Sequence, residues 1–116
     1  MQHAPTHFFM VFANALPGGE DEFNRWYDEQ HLSDLLKLPG FKAAQRFVLS
    51  EHQHVAGPHP QKYAVIYEIE GHDLKASLDA LQAALDDGSI PKCAVFDWQT
   101  MAAHVYTPIT QRLVKS

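Results

Sequence analysis

One short segment of this 116-residue chain combines aromatic, acidic and imidazole side chains at helical spacing. In residues 26–34, with the sequence WYDEQHLSD, His31 follows Tyr27 by four positions, which is about one helical turn. An imidazole titrates near neutral pH, so a histidine in a cleft between a helix and a sheet can exchange protons with a bound molecule. We therefore consider His31 the leading candidate catalytic residue, with Tyr27 beside it as a hydrogen-bond donor.

Two carboxylates lie near His31 in sequence. Asp28 precedes it and Asp34 follows it, each by three positions. Either side chain could orient the imidazole and favour its protonated form, and Asp34 is also a candidate substrate-binding residue. The alternative is that His31 is a core residue hydrogen-bonded to a neighbour, and the spacing leaves both interpretations open.

Further aromatic and titrating residues could line a pocket for an aromatic or polycyclic ligand. Trp26 borders the helical stripe, whereas Tyr67 and Trp98 fall near the middles of two predicted strands. His104, on the same predicted strand as Trp98, could add a second titrating group. These four residues are candidate substrate-binding residues, and ordinary packing, or exposure at a strand end for His104, is the alternative.

Arg46 stands on a strand face that is otherwise apolar. A buried guanidinium needs an anionic partner. That partner could be a carboxylate or phenolate of a substrate, in which case Arg46 would stabilise oxyanion charge during catalysis. It could equally be a structural acid such as Glu68 or Asp97.

Composition excludes several classes of function. A net charge of −5 and a pI near 5.8 provide no positive field for phosphate groups, so we expect no binding of nucleic acid or anionic membranes. Cys93 is the only cysteine, which fits a reducing compartment, and we predict a cytoplasmic protein. His52, His54 and His59 share a Gly/Pro loop without suitably spaced acids or cysteines, so we expect a solvated loop and no metal.

Six elements must position these side chains. Residues 7–14, 41–50, 62–70 and about 93–106 are rich in β-formers and predict four strands. One predicted helix runs from residue 20 to just before Pro39, and a second follows the N-cap candidate Asp73. The order βαββαβ predicts an α+β, ferredoxin-like sandwich that forms a single domain over residues 1–116. Two helices would cover one face of a four-stranded antiparallel sheet.

The predicted strands are too apolar for a sheet with one solvated face. The first strand, HFFMVFAN, is apolar on both sides, whereas an exposed sheet face normally carries polar residues. One layer of helices covers only one of the two faces. We therefore predict a homodimer in which a second copy packs on the open sheet face and closes a shared barrel.

Residues 20–47 resemble the EthD-like group of dimeric α/β-barrel proteins. The first helix of that group commonly carries a Trp-Tyr pair followed by His and Leu, and it runs into Pro-Gly-Phe. The matching positions here are Trp26, Tyr27, His31, Asp34, Leu35 and Pro39-Gly40-Phe41. Arg46 also fits the A-x-R-F pattern of the strand that follows.

The resemblance implies a dimeric barrel that binds a small hydrophobic molecule without a cofactor. Related barrels include polyketide cyclases, lactone isomerases and quinone-forming monooxygenases. We expect an isomerase, cyclase or lyase that uses His31 as general acid or base, with Tyr27 and Arg46 stabilising oxyanion charge. Two alternatives stay open: a cofactor-free monooxygenase of the EthD or antibiotic-biosynthesis type, and a non-catalytic ligand-binding or accessory dimer.

Overall fold

The computed structural model describes residues 4–116, which form an α+β fold with helices packed on an antiparallel sheet. The strands are β1 (Thr6–Ala13), β2 (Phe41–Val48), β3 (Tyr63–Glu70) and β4 (Ala102–Tyr106). The helical segments are α1 (Glu20–Trp26), a π turn (Tyr27–His31), α2 (Leu32–Leu35) and α3 (Leu74–Asp86). The first three of these segments follow one another without a break and are together called the first helix.

The strands lie in the order β2-β3-β1-β4, and every neighbouring pair is antiparallel. With the first helix between β1 and β2 and α3 between β3 and β4, this arrangement is compatible with the predicted ferredoxin-like sandwich. Asp73 is the N-cap of α3, as predicted, because its side chain accepts a hydrogen bond from the backbone N–H of Ala76 at 3.0 Å. No helix among residues 4–116 is long and apolar enough to cross a membrane.

The fourth strand is much shorter than predicted: within residues 93–101 only Phe96 makes a β-bridge, an isolated one to Ala15, and the rest form turns, bends or irregular structure. The backbone N–H of Phe96 donates to the carbonyl of Cys93 at 3.2 Å. The Asp97 carboxylate accepts hydrogen bonds from the Thr100 hydroxyl and from a nearby backbone N–H. Such local bonds compete with the strand ladder for the same backbone groups. The prediction of a strand is therefore wrong for the residues before Ala102, where β4 begins.

A bulge in β2 moves Phe41 to the helix-covered face. The strand register shifts between Phe41 and Ala43. Strict alternation along the predicted strand would place Phe41 on the same face as Ala43 and Phe47. Phe41 is instead only 6% exposed and packs edge-on against Tyr67, with ring centroids 6.0 Å apart. Phe47, by contrast, is 41% exposed. One extra residue in the strand is enough to reverse the face of everything before it.

The core lies between the helices and one face of the sheet. Side chains from the first helix meet side chains from alternate positions of β3, as the two periodicities of helix and strand require. The most deeply buried members are Phe23, Leu35, Val65, Tyr67 and Ile69. These contacts hold the first helix, and therefore His31, against the sheet.

The opposite face of the sheet is largely apolar but also carries Gln45, Glu68 and His104, and among residues 4–116 no helix packs on it. The strand registers place alternate residues of β1, β3 and β4 on this face, which we call the open face. Its members include Phe8, Met10, Phe12, Ala64, Ile66 and Tyr106, none of which is fully buried.

The loop between the first helix and β2 depends on Gly40. Its φ of +83° suits glycine, and an added Cβ would lie 2.6 Å from Ser77 Oγ. Gly88 has nearly the same φ, +82°, but open space around it. We expect Gly88→Ala to lower the free energy of unfolding by about 1 kcal/mol through backbone strain alone. Gly40→Ala should cost at least about 1 kcal/mol more, because packed atoms must move.

Urea denaturation of the two variants measures this difference directly. Gly88→Ala is the matched control, since both glycines have nearly the same positive φ. Equal losses of stability in the two variants would contradict the close packing at Gly40.

Candidate functional site

A cavity of about 100 Å³ lies beneath the first helix, between it, α3 and the sheet. Its wall is almost entirely apolar. The residues that line it include Phe9, Trp26, Tyr27, His31, Tyr67 and Phe96. The structure therefore brings together five of the predicted site residues: three from the first helix, Tyr67 from β3, and Trp98 from the segment before β4. An apolar enclosure with a few polar groups is the usual form of a ligand-binding site, and this one is smaller than the about 300 Å³ at which such sites usually begin.

The π turn determines how the rings at this site meet. In a π turn, residues five apart lie one above the other. The imidazole of His31 accordingly stacks on the indole of Trp26, with ring centroids 4.1 Å apart and planes at 23°. Tyr27 meets the same imidazole edge-on at 5.2 Å. The ordinary helical spacing that we assumed predicted the Tyr27 contact and not the Trp26 stack.

The Trp26 indole is itself fixed in place. Its Nε1–H donates a hydrogen bond to the carbonyl oxygen of Pro91 at 3.2 Å. The segment after α3 thus holds the indole, and the indole supports the imidazole of His31. The orientation of the candidate catalytic group depends on contacts between parts of the chain that are distant in sequence.

Neither of the predicted carboxylates contacts His31. Asp28 binds Arg46, and Asp34 lies outside the cavity, 3.8 Å from the ammonium of Lys37. The Nδ1 atom of His31 is buried and has no hydrogen-bond partner among residues 4–116. Burial lowers the pKa of His31 to about 4, so its imidazole is neutral at pH 7. The expectation that a neighbouring acid would favour the imidazolium is therefore corrected.

Arg46 is held by the first helix. Its Nη1 donates to Asp28 at 2.9 Å and its Nη2 donates to the side-chain oxygen of Asn24 at 2.7 Å. Its partner is thus an acid of the protein itself. That acid is Asp28 and not Glu68 or Asp97, the two that we had suggested. The guanidinium does not line the cavity, so it ties the first helix to β2.

Two buried tyrosines at the cavity remain protonated. Burial raises the pKa of Tyr27 and the pKa of Tyr67 well above the usual value for a phenol. Tyr67 is 1% exposed, and its hydroxyl has no hydrogen-bond partner among the described residues. Both side chains can therefore donate hydrogen bonds, and neither is a base at neutral pH.

The structure separates the last two predicted site residues. Trp98 is 50% exposed at the rim of the cavity and packs against Phe96, with ring centroids 4.3 Å apart. His104 pairs with Met10 and lies on the open face, away from His31. The cavity residues Phe96 and Lys92 were missed, because residues 93–101 were expected to form a regular strand and Lys92 precedes them.

The chain has no match among known proteins in two comparisons: no family model matches it, and neither does any curated protein. The similarity of residues 20–47 to the EthD-like group therefore remains a prediction. In the part of the chain that the structure describes, no three side chains of His, Cys, Asp or Glu are grouped so that they could hold a metal ion.

The lowered pKa of His31 makes stability depend on pH. The folded pKa is about 4 and the ordinary value is 6.5, so the unfolded chain takes up a proton that the folded chain does not. The stabilising contribution is complete above pH 6.5 and is lost as the pH falls towards 4, which amounts to about 3 kcal/mol at most. We expect His31→Gln to remove this part of the pH dependence.

The measurement is the difference in unfolding free energy between the wild type and His31→Gln from pH 7.5 to 4.5. Taking the difference cancels the contribution of other acids. His52→Gln, in an exposed loop, is the control and should follow the wild type. A difference that stays constant over this range would show that His31 titrates normally.

Proposed function

We propose that this protein binds a small, largely aromatic molecule in the cavity and catalyses proton transfer on it without a metal or organic cofactor. The reaction would be an isomerisation, cyclisation or elimination. The observation that carries the proposal is a neutral imidazole at the wall of an apolar cavity, stacked on the face of Trp26, whose Nδ1 has no hydrogen-bond partner among the described residues. Polar atoms left unpaired inside a fold cost free energy unless a ligand satisfies them.

The environment of His31 favours one kind of substrate. A neutral imidazole can accept a proton at pH 7, but an isolated imidazolium in this cavity is unfavourable, as the lowered pKa of His31 indicates. If the ligand becomes an anion as it gives up the proton, the two new charges attract each other strongly in the apolar surroundings. An acidic C–H next to a carbonyl group meets this requirement, since its enolate oxygen carries the negative charge.

The tyrosines are better placed than Arg46 to stabilise that oxygen. Arg46 is already bound by Asp28 and Asn24 and lies outside the cavity lining. The protonated hydroxyls of Tyr27 and Tyr67 can donate hydrogen bonds to an enolate. In this proposal His31 is the general base, the tyrosines are donors, and Arg46 is a positioning residue for the first helix.

We also propose that the protein is a homodimer that packs through the open face. The apolar side chains on that face, such as Phe12 and Ile66, would otherwise remain in contact with water. The resemblance of residues 20–47 to EthD-like proteins supports the same assembly. A second copy would complete a barrel whose two halves each carry one cavity.

The dimer is tested by a charge on the open face. Ile66→Glu should convert a dimer at micromolar concentration into a monomer, because two carboxylates would be buried in the interface. Sedimentation equilibrium gives the mass. Ala83→Glu, on the exposed side of α3, is the matched control and should leave the dimer intact. A wild-type protein that is monomeric at 100 micromolar would contradict the proposed assembly.

Proton transfer can be tested without knowing the natural substrate. We expect the protein to accelerate exchange of the acidic C–H protons of 2-indanone for deuterium in heavy water, followed by NMR. His31→Gln should lower the protein-dependent rate by about 100-fold, in line with the usual effect of a general base. Glu29→Gln, an exposed position on the same turn, is the control.

The outcomes separate the alternatives. Exchange that is unaffected by His31→Gln would contradict the proposed base. Binding of 2-indanone without faster exchange would support a non-catalytic binding protein. Uptake of oxygen with an anthrone, and no exchange with the ketone, would support the monooxygenase alternative.

A further inference from the structure

Residues 107–116, which follow β4, are exposed along their whole length and form neither helix nor strand. We call this segment the arm. Its first residue is held to the sheet by a hydrogen bond of 2.8 Å between Thr107 Oγ1 and His7 Nδ1. Three side chains of the arm are apolar: Ile109 is 98% exposed, Leu113 is 91% exposed, and Val114 is also exposed. Apolar side chains grouped on a surface in this way are typical of a contact with another molecule.

The arm and the rest of the chain carry opposite charges. The arm contains Arg112 and Lys115, whereas all 14 acidic residues precede it. Since the net charge of the chain is −5, the arm at +2 leaves −7 on the rest. A second copy of this chain therefore offers the arm a surface of complementary charge.

The open face carries a groove of about 250 Å³ whose residues suit the arm. Its lining comes from β1, β2 and β3 and includes Phe8, Ala43, Gln45, Phe47, Ile66 and Glu68. Glu68 is half-buried and forms no ion pair within residues 4–116. The nearby ammonium of Lys42 is bound to Glu70 at 2.7 Å. The groove thus combines apolar walls with a carboxylate that a guanidinium could pair.

The strand registers place the start of the arm and the groove on the same face of the sheet. Tyr106, the last residue of β4, pairs with Phe8, and Phe8 pairs with Glu68. These three residues form a row across the open face, on strands about 4.8 Å apart. An extended arm of residues 107–116 spans up to roughly 33 Å, so it can cross onto a second copy that packs on this face.

We propose that in the homodimer each arm lies in the groove of the second copy, with Ile109 and Leu113 against its apolar walls and Arg112 paired with Glu68 of that copy. This inference rests on the proposed dimer and specifies which segments the two copies exchange. In the single chain the arm is exposed and Glu68 has no ion pair among the described residues. Association would bury these apolar side chains and pair these charges in one step.

The test exchanges the charges of the proposed pair. Arg112→Glu places like charges at both arm contacts of a homodimer, and Glu68→Arg does the same. Each variant alone should raise the dissociation constant of the dimer by at least about tenfold, measured by sedimentation equilibrium of the full chain.

An equimolar mixture of the two variants distinguishes exchange from folding back. A mixed dimer restores opposite charges at both contacts if each arm lies on the other copy, but restores neither if each arm lies on its own chain. We expect about nine-tenths of the dimers to be mixed, against about one half in a statistical mixture, counted by native mass spectrometry.

Matched variants provide the controls. Glu51→Arg changes an exposed acid in the loop after β2, and its mixture with Arg112→Glu should show no preference for the mixed dimer. Leu113→Asn should weaken the dimer by about tenfold or more, because an apolar side chain is lost from each of two contacts. Val55→Asn, at another exposed apolar residue, should leave it unchanged. Circular dichroism establishes that each variant is folded.

Different results contradict different statements. If the wild type is a dimer that Ile66→Glu dissociates, but the two charge variants mix only statistically, arm exchange is wrong and the dimer through the open face stands. This holds even if each charge variant weakens the dimer by itself, since the arm would then lie on its own chain. A monomeric wild type overturns the dimer and arm exchange together, whereas proton exchange of 2-indanone tests the catalytic proposal independently.

Discussion

The contact between Arg46 and the first helix is the constraint on which the rest of the site depends. A guanidinium on the helix-covered face of the sheet has to be paired, and Asp28 and Asn24 pair it from the turn that faces it. This pairing engages Asp28, the preceding carboxylate that we had expected to favour the protonated form of His31. It also leaves the cavity without a free buried cation. Burial keeps the imidazole of His31 neutral, and the pairing of Arg46 holds its guanidinium outside the cavity lining.

The π turn is the second determinant, and it acts on ring geometry. By adding one residue to a turn, it places His31 over Trp26 while keeping Tyr27 against the same imidazole. Such turns are uncommon and are often found at functional sites. Here the turn places aromatic rings on two sides of the imidazole, whose Nδ1 has no hydrogen-bond partner within residues 4–116. That combination is what makes the cavity a candidate site for proton transfer.

The two faces of the sheet have different roles although most side chains on both are apolar. One face, with Tyr67 at its centre, forms the floor of the cavity and of the core. The open face carries side chains such as Phe12 and Ile66 that no described helix covers. The bulge in β2 marks this division, because it turns Phe41 into the core while Phe47 stays on the open face. The proposed ligand and the proposed second copy thus occupy opposite sides of one sheet.

Local patterns in the sequence were sufficient for the order of helices and strands, the N-cap at Asp73 and the inward direction of Tyr27. Each of these depends on neighbours within a turn or on simple periodicity. The partner of Arg46, the neutral state of His31 and the position of His104 on the open face depended on the tertiary structure. The late start of the fourth strand is accompanied by side-chain bonds of Asp97 that compete with the ladder. Burial and pairing across the fold set these features, and one sequence does not specify in advance which distant groups will meet.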